Sequence, residues 1–324
     1  MPKAVVCREL GPPERLRLET FAAAPLKPGE VRVAVRAAGI NFPDILMAAG
    51  EYQLKPDLPF TPGVEAAGDV VEVNGADGVA VGDRVIVKMR HGAYADEAVV
   101  APSQLVALPS TFDYAEGATF LAAHGTAYHA LVDRGQLRPG EVLLVHGAGG
   151  GVGLAAVEIG KFLGATVIAA ASSEEKLAVA QLRGADRLVL YGREPFRDAV
   201  KRITDGRGAD VVFDPVGGEI FENSLRCIAW GARILVIGFT GGIGLARTNL
   251  VLIKGASVLG VRAGEAVRRN PALGEVRIKA LTDWAEAGKV RPNISHRLPL
   301  EDFAAAMRLL IDRKAIGRVA LMMG

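Results

Sequence analysis

The sequence predicts an α/β protein in which a doubly wound parallel sheet is joined to a second, mostly β domain. Three observations carry this. From Tyr114 to Val261 apolar helices alternate with apolar strands in a βαβ rhythm. Before Tyr114 the chain runs as short strands separated by Pro- and Gly-containing turns. Between Val142 and Gly164 it reads VLLVHGAGGGVGLAAVEIGKFLG, an apolar strand broken by glycines and continued by an apolar, alanine-rich helix.

The chain's 324 residues, half of them hydrophobic, suffice for two domains with buried cores. A formal net charge of +2 with acidic and basic residues interspersed leaves no electrostatic footprint for nucleic acid or a membrane surface. Cys7 and Cys227 make neither a disulfide framework nor a cysteine zinc site, and point to a reduced, cytoplasmic setting. The start, MPKAVVCREL, lacks the apolar core of a signal peptide. The longest apolar stretch holds glycines, His146 and Glu158, which argues against a membrane span.

In chain order, Lys3 to Arg8 and Val31 to Ala37 read as strands, the second alternating Val31, Val33 and Val35 with Arg32 and Arg36. A short helix is expected at Pro43 to Ala49, then strands around Ala67 to Val73 and Arg84 to Lys88, joined by the Gly82-Asp83 turn. Tyr94 to Val100 completes the mostly β region. The alternating part then offers a helix over Ala115 to Val132 and a strand at Val142 to Val145. Further helix and strand pairs follow to Ser257 to Val261. Beyond Gly264, the helices Pro271 to Ala287 and Leu300 to Asp312 precede a last strand, Arg318 to Met322. No alternation resumes there, so this tail is expected to return to the first domain. The expected domains are 1–120 with 266–324, and 121–265.

The glycine stretch reads as a dinucleotide-binding turn. Its six fingerprint places are Ala148, Gly149, Gly150, Gly151, Val152 and Gly153, so the usual first glycine is alanine. Glycines open backbone conformations closed to other residues, and the first turn of the following helix leaves amides unpaired at the positive end of its macrodipole. A pyrophosphate is bound there without a cationic side chain. A glycine-rich turn that binds nothing is the alternative, but the strand before it and the helix after it favour the nucleotide.

Short motifs along the chain carry a resemblance. They are Ala37-Ala38-Gly39-Ile40-Asn41-Phe42, Pro62-Gly63-Val64-Glu65-Ala66-Ala67-Gly68, Gly82-Asp83-Arg84-Val85, Gly140 to Lys161, Asp214-Pro215-Val216-Gly217-Gly218 and Gly317-Arg318. In this order and spacing the chain resembles, over essentially its full length, the zinc-free medium-chain dehydrogenases/reductases of the quinone oxidoreductase (zeta-crystallin-like) type. The resemblance implies a Rossmann domain and a mostly β, GroES-like catalytic domain. Glu158 departs from it, standing where that branch has glutamine, and is expected to affect the helix surface only.

Zinc-using relatives place metal ligands where this chain has Asn41, Val64 and about Ala122, and neither valine nor alanine ligates zinc. His91, His124, His129, His146 and His296 have no partner at a recognised ligand spacing. No metal is expected.

An NAD-preferring site puts a carboxylate about 20 residues beyond the fingerprint, on the ribose hydroxyls. This chain has Ala170-Ala171-Ser172-Ser173 there, and Ser172 with Glu175 reads as a capping box. On spacing alone, Lys176 suits a solvated lysine and a phosphate ligand equally. The resemblance assigns Lys176, Ser172 and Tyr191 to an adenosine 2′-phosphate, with Arg318 contributing from the C-terminal segment, and so implies NADPH.

Hydride transfer asks the protein mainly for orientation and a water-excluding site. On residue type alone Asn41 is a turn asparagine and Tyr52 a half-buried tyrosine. The resemblance makes Asn41 a ligand of substrate or of the nicotinamide ribose, and Tyr52 a donor to an acceptor carbonyl or a ring to stack on. The glycine-dense Gly238 to Gly244 reads as a cofactor-facing loop. The full expected cofactor set is Asn41, Thr126, Gly149, Gly150, Gly151, Val152, Gly153, Ser172, Lys176, Tyr191, Gly238, Phe239, Thr240 and Arg318, with Asn41 and Tyr52 as catalytic residues.

The expected activity is NADPH-dependent reduction of a quinone or similar conjugated carbonyl. An enone or enoyl-thioester reductase would use the same geometry on a carbon–carbon double bond. A cofactor-binding sensor, or an RNA-binding protein such as some relatives are, belongs to another class. Balanced charge and the lack of a basic aromatic patch weigh against RNA. The resemblance also implies a homodimer paired along the apolar edge strand Ser257 to Val261.

Overall fold

In the computed structural model, which describes residues 1–324, Val142–Val145 is a strand buried along its whole length. Burial on both faces suits its unbroken run of β-branched and leucine side chains. It lies inside a six-stranded parallel sheet in the order Arg187–Leu190, Thr166–Ala171, Val142–Val145, Ala209–Asp214, Ile228–Val236 and Ser257–Gly260. The strand order reverses between Val142–Val145 and Ala209–Asp214, the switch point where ligands bind beyond the carboxyl ends of such strands.

The chain divides into two units, Met1–Ala122 with Pro292–Gly324, and Ala123–Arg291. The parallel sheet belongs to the second. Its core joins Leu144, Ile168, Val189, Phe196, Val212 and Ile234. The return to the first unit comes at Pro292, rather than near residue 266 as the sequence suggested. The helix Pro271–Glu286 explains the difference. Its Arg277 donates to Asp133 at 3.3 Å, and its Trp284 packs 5.4 Å from the Tyr128 ring and 4.7 Å from Phe162.

The first unit is built on a seven-stranded sheet. Its central strand, Glu30–Gly39, pairs antiparallel with Glu65–Asn74, with Glu97–Val100 and with the C-terminal strand Arg318–Met322. Arg84–Lys88 and Leu105–Ala107 extend it on one side, and Ile294–Pro299 pairs parallel with Arg318–Met322 on the other. One face packs on Val5, Ile40, Met47, Tyr94, Phe303 and Met307. The expected helix over Ala115 to Val132 is three pieces, Tyr114–Gly117, Leu121–Tyr128 and a π-helical turn at His129–Arg134. No helix is long and apolar enough to cross a membrane.

Glu158, expected at the helix surface, is instead an internal anchor of the second unit. It lies on the helix Gly151–Phe162 with its side chain 14% exposed. One oxygen sits 3.1 Å from His124 Nε2 and accepts the Arg291 backbone N–H at 3.0 Å. The other accepts from Arg183 at 3.3 Å, and Arg183 also donates to the Arg291 carbonyl at 2.9 Å. A single carboxylate therefore holds the residues next to both places where the chain crosses between units. Glu158→Ala should lower unfolding stability in urea by about 2–3 kcal/mol, the scale of losing hydrogen bonds to charged groups. Glu158→Gln, which keeps a carbonyl acceptor for the Arg291 amide, should cost less than half as much. An unchanged midpoint for the alanine variant would refute the anchor.

Candidate functional site

The glycine turn begins where Val142–Val145 ends, in the second unit. Gly147 has φ +57°, in the left-handed region that favours glycine, and its carbonyl accepts the Gly150 N–H at 2.9 Å. The helix Gly151–Phe162 starts immediately, with Gly150 as its N-cap and no side chain capping its first amides. A Cβ on Gly153 would stand 2.3 Å from the Gly147 oxygen, so the helix starts closer to the turn than any side chain allows. A Cβ on Gly149 would meet Lys176 Cβ at 2.6 Å, so the aliphatic stem of Lys176 lies across the turn. Uncapped amides, space kept clear by glycine and a cation at the margin together fit a phosphorylated dinucleotide.

At that margin, Lys176 Nζ lies 3.5 Å from Ser172 Oγ, and Ser172 is exposed. The cap of the helix Glu174–Leu182 is Ser173, whose Oγ accepts the Lys176 N–H at 3.3 Å. The Ser172–Glu175 capping box is thus corrected by one residue, which leaves the Ser172 side chain facing Lys176. Glu174, in the first turn of that helix, pairs with Arg193 at 3.4 Å, and the residues directly after the Thr166–Ala171 strand are Ser172 and Ser173. The Tyr191 hydroxyl lies 2.7 Å from His146 Nδ1.

The loop after Ile228–Val236 leans on the loop after Ala209–Asp214. Thr240 Oγ1 donates to the Pro215 carbonyl at 3.2 Å, and the Gly241 N–H donates to the Val216 carbonyl at 2.7 Å. A Cβ on Gly217 would meet the Gly242 oxygen at 2.3 Å. Gly238 and Phe239 share this loop, and the Phe239 ring is largely exposed. Thr126 is half-buried on the helix Leu121–Tyr128.

In the first unit, Asn41 caps the helix Phe42–Ala49 and is 5% exposed. Its Oδ1 accepts from Arg318 at 2.9 Å, and its Nδ2 donates to the Gly39 carbonyl at 3.3 Å and to Glu65 at 3.2 Å. Both amide donors are therefore engaged, and one carbonyl lone pair remains. Arg318 also bonds Glu65 directly, and Glu65 accepts the Ala122 N–H at 2.9 Å. The Arg318 guanidinium is buried in the first unit against Glu65. Tyr52 packs half-buried against the core of the first unit. No group of three or more His, Cys, Asp or Glu side chains is arranged to hold a metal ion.

Asp44 escaped the sequence reading. It is fully buried, accepts the Asn41 N–H and the Tyr94 hydroxyl on one oxygen at 2.8 Å each, and its other oxygen has no partner. The Asn-x-x-Asp spacing of a helix start is its only local signal. Burial, ahead of every other effect, pushes its carboxyl up from the ordinary 3.8 to about 7, and nearby Glu65 adds to the rise. Two carboxylates and one guanidinium share this sealed cluster.

Comparison with known proteins gives consistent results. Residues 27–110 match the family described as "Alcohol dehydrogenase GroES-like domain", and residues 151–276 match "Zinc-binding dehydrogenase". The chain is 37% identical to the "Quinone oxidoreductase-like protein 2 homolog" of Nematostella vectensis, over 98% of this chain and 88% of that protein. The fold matches that of the Escherichia coli quinone oxidoreductase solved with NADPH at a TM-score of 0.90, with 28% identity and 99% of each chain covered. It matches the CurK enoyl reductase at 0.89, with 28% identity over 100% of this chain and 99% of that one. The architecture is a GroES-like domain with a Rossmann domain.

The position of Asp44 has a measurable consequence. Its folded pKa lies above its unfolded one, so between pH ~4 and ~7 the folded chain keeps a proton the unfolded chain has released. That contribution is fully present below this window and is lost as pH rises through about 7. Asp44→Asn should flatten the fall in urea stability from pH 5 to pH 8, by at most roughly 1.4 kcal/mol for each pH unit inside the window. Superimposable pH profiles for variant and wild type would exclude it.

Proposed function

This chain belongs to the quinone oxidoreductase-like family of the medium-chain dehydrogenases/reductases, and from that premise we propose an NADPH-dependent, zinc-independent reductase that passes hydride to a quinone or related conjugated carbonyl. The observation that carries the reading is the Lys176 stem laid across Gly149, with its ammonium beside Ser172 and two serines directly after the strand end. The first amides of the helix Gly151–Phe162 take the pyrophosphate, and Lys176 and Ser172 take the 2′-phosphate. The loop Gly238–Thr240 brings backbone toward the nicotinamide. When bound, NADPH supplies the hydride, and a proton from solvent completes reduction of the acceptor.

The remaining lone pair of Asn41 accepts from a nicotinamide-ribose hydroxyl, while Glu65 and Arg318 hold its amide in place. Tyr52 donates its hydroxyl to the acceptor oxygen, where charge develops. The positions that hold zinc ligands in zinc-using relatives are Asn41, Val64 and Ala122 here, so this oxygen is met by hydrogen-bond donors. Likeness to an enoyl reductase supports a second reading, reduction of the carbon–carbon double bond of an enone or enoyl thioester.

Steady-state assays with NADPH and NADH against quinones, enones and aldehydes test both readings, and product analysis on an enone separates them. NADPH oxidation with a quinone is expected; no turnover of either cofactor with any acceptor would end the reductase reading. Lys176→Ala should raise the Kd for NADPH about 10- to 100-fold, the scale of a lost charged hydrogen bond, with little effect on NADH.

We further propose a homodimer paired along Ser257–Gly260, an edge of the parallel sheet. Exposed apolar side chains flank it, with Trp230 at 78% and Leu252 at 79%. Light scattering at micromolar concentration should give twice the chain mass, and Leu252→Asp with Ile253→Asp should give one. A single-chain mass for the wild type would rule the dimer out.

A further inference from the structure

The parallel sheet carries a second group of charges along the edge where its strands end. Val236 pairs with Gly260, and the Val261 N–H donates to the Val236 carbonyl at 3.0 Å, so Gly238 and Arg262 each stand two residues past a matched pair. Adjacent strands lie about 4.8 Å apart. Arg262 is therefore next to the start of the Gly238 loop, on the side away from the glycine turn. The backbone around it is held at both ends. Arg134 donates to the Gly260 carbonyl at 3.3 Å, and the buried Arg277 donates to the Ala263 carbonyl at 3.5 Å. Arg277 also pairs with Asp133, which lies 2.7 Å from His129, so that carboxylate is engaged inside the unit.

On the surface, three guanidiniums converge on one carboxylate, Glu265. Arg268 pairs with it, and Arg269 Nε donates to it at 2.9 Å. Arg262 comes third. It stands 3.8 Å away, beyond hydrogen-bonding distance, with its side chain 59% exposed, so its fork of donors is open to a ligand. The whole chain has a formal net charge of +2, and this one group holds as much excess positive charge as all of it. Guanidiniums held this close repel one another until an anion joins them. The planar fork suits a carboxylate or a phosphate, each of which takes two parallel hydrogen bonds.

We propose that Arg262, with Arg269 beside it, is a specificity-determining residue that binds an anionic group of the acceptor, so that the protein reduces conjugated carbonyls bearing a carboxylate or phosphate in preference to neutral ones. The inference rests on the reading that this sheet edge carries NADPH with its nicotinamide toward the Gly238 loop. An acceptor lying against the nicotinamide then has its far end at the neighbouring strand, where Arg262 stands.

Steady-state kinetics with NADPH and two matched pairs of acceptors test it. For a carboxylate the pair is 3-acetylacrylate and its methyl ester; for phosphates it is crotonyl-coenzyme A and crotonyl-N-acetylcysteamine. The wild type should favour the charged member of at least one pair, and the pair that shows the preference identifies the anion. Arg262→Ala should raise KM for that member about 10- to 100-fold with little change in kcat, the mark of binding energy common to substrate and transition state. Its neutral partner and the Kd for NADPH should be unaltered, and the urea midpoint should hold because the side chain is exposed. Arg262→Lys, which keeps the charge without the fork, should recover part of the loss, and added salt should narrow the preference. Equal KM for charged and neutral members, or a preference that survives in Arg262→Ala, would overturn the inference and leave the reductase reading intact. So would turnover of quinones with none of these four acceptors. A raised Kd for NADPH in Arg262→Ala would overturn it by placing the residue on the cofactor. No turnover with quinones or with any of the four would remove the reductase reading and the inference together.

Discussion

Where the helix Gly151–Phe162 meets the turn before it, a methyl carbon at Gly153 would lie 2.3 Å from the Gly147 oxygen, well inside van der Waals contact. The second unit depends on that close approach of backbone to backbone. It sets the direction of the helix leaving Val142–Val145 and aims the first amides at the switch point of the sheet. The same crowding recurs at Gly149, where the absent side chain makes room for Lys176, and at Gly160, where a Cβ would stand 2.4 Å from Leu143. The stem of Lys176 crosses the turn at Gly149, and the Tyr191 hydroxyl lies against the His146 ring, one residue before the turn.

The first unit relies on charge rather than closeness. Glu65, Asp44 and Arg318 are all buried, with one cation for two carboxylates. Such an arrangement costs desolvation energy that only good geometry and additional hydrogen bonds offset. Here the bonds come from Asn41, Tyr94 and the Ala122 amide, and the excess negative charge is relieved by the raised Asp44 carboxyl. The result is a rigid amide at Asn41, held from both of its ends. Rigidity of this kind is useful where a small ligand group must be held in one orientation.

Much of the fold was legible because the informative residues are neighbours. Val142–Val145, Arg84–Lys88, Arg187–Leu190 and Arg318–Met322 are strands at the expected residues, each an apolar run bounded by turn or polar residues. The helix read over Ala115 to Val132 broke into three because an alanine-rich apolar run carries no local sign of its interruptions. Ser172 and Ser173 are equivalent as letters, and only the extended backbone at Ser173 makes it the cap. Glu158 looked like a surface position because its partners are His124, Arg183 and Arg291, distant in sequence. The Arg318–Glu65 pair was hidden for the same reason, since nothing near Arg318 in the chain announces Glu65. Local pattern specifies elements, while the pairing of buried charges is decided by tertiary approach.

The division of the chain has a consequence for how the protein is made. The second unit is one continuous stretch, Ala123–Arg291, whereas the first is interrupted by it. Domains generally fold as they leave the ribosome, the N-terminal part first. Here that part waits: the strand Glu30–Gly39 lacks its neighbour Arg318–Met322 until the chain beyond the second unit is synthesised. Glu65 lacks the buried guanidinium of Arg318 for the same interval. The second unit is thus complete in a nascent chain whose Asn41 cluster still awaits its arginine, and a chain cut before Arg318 would strand two carboxylates in an unfinished core.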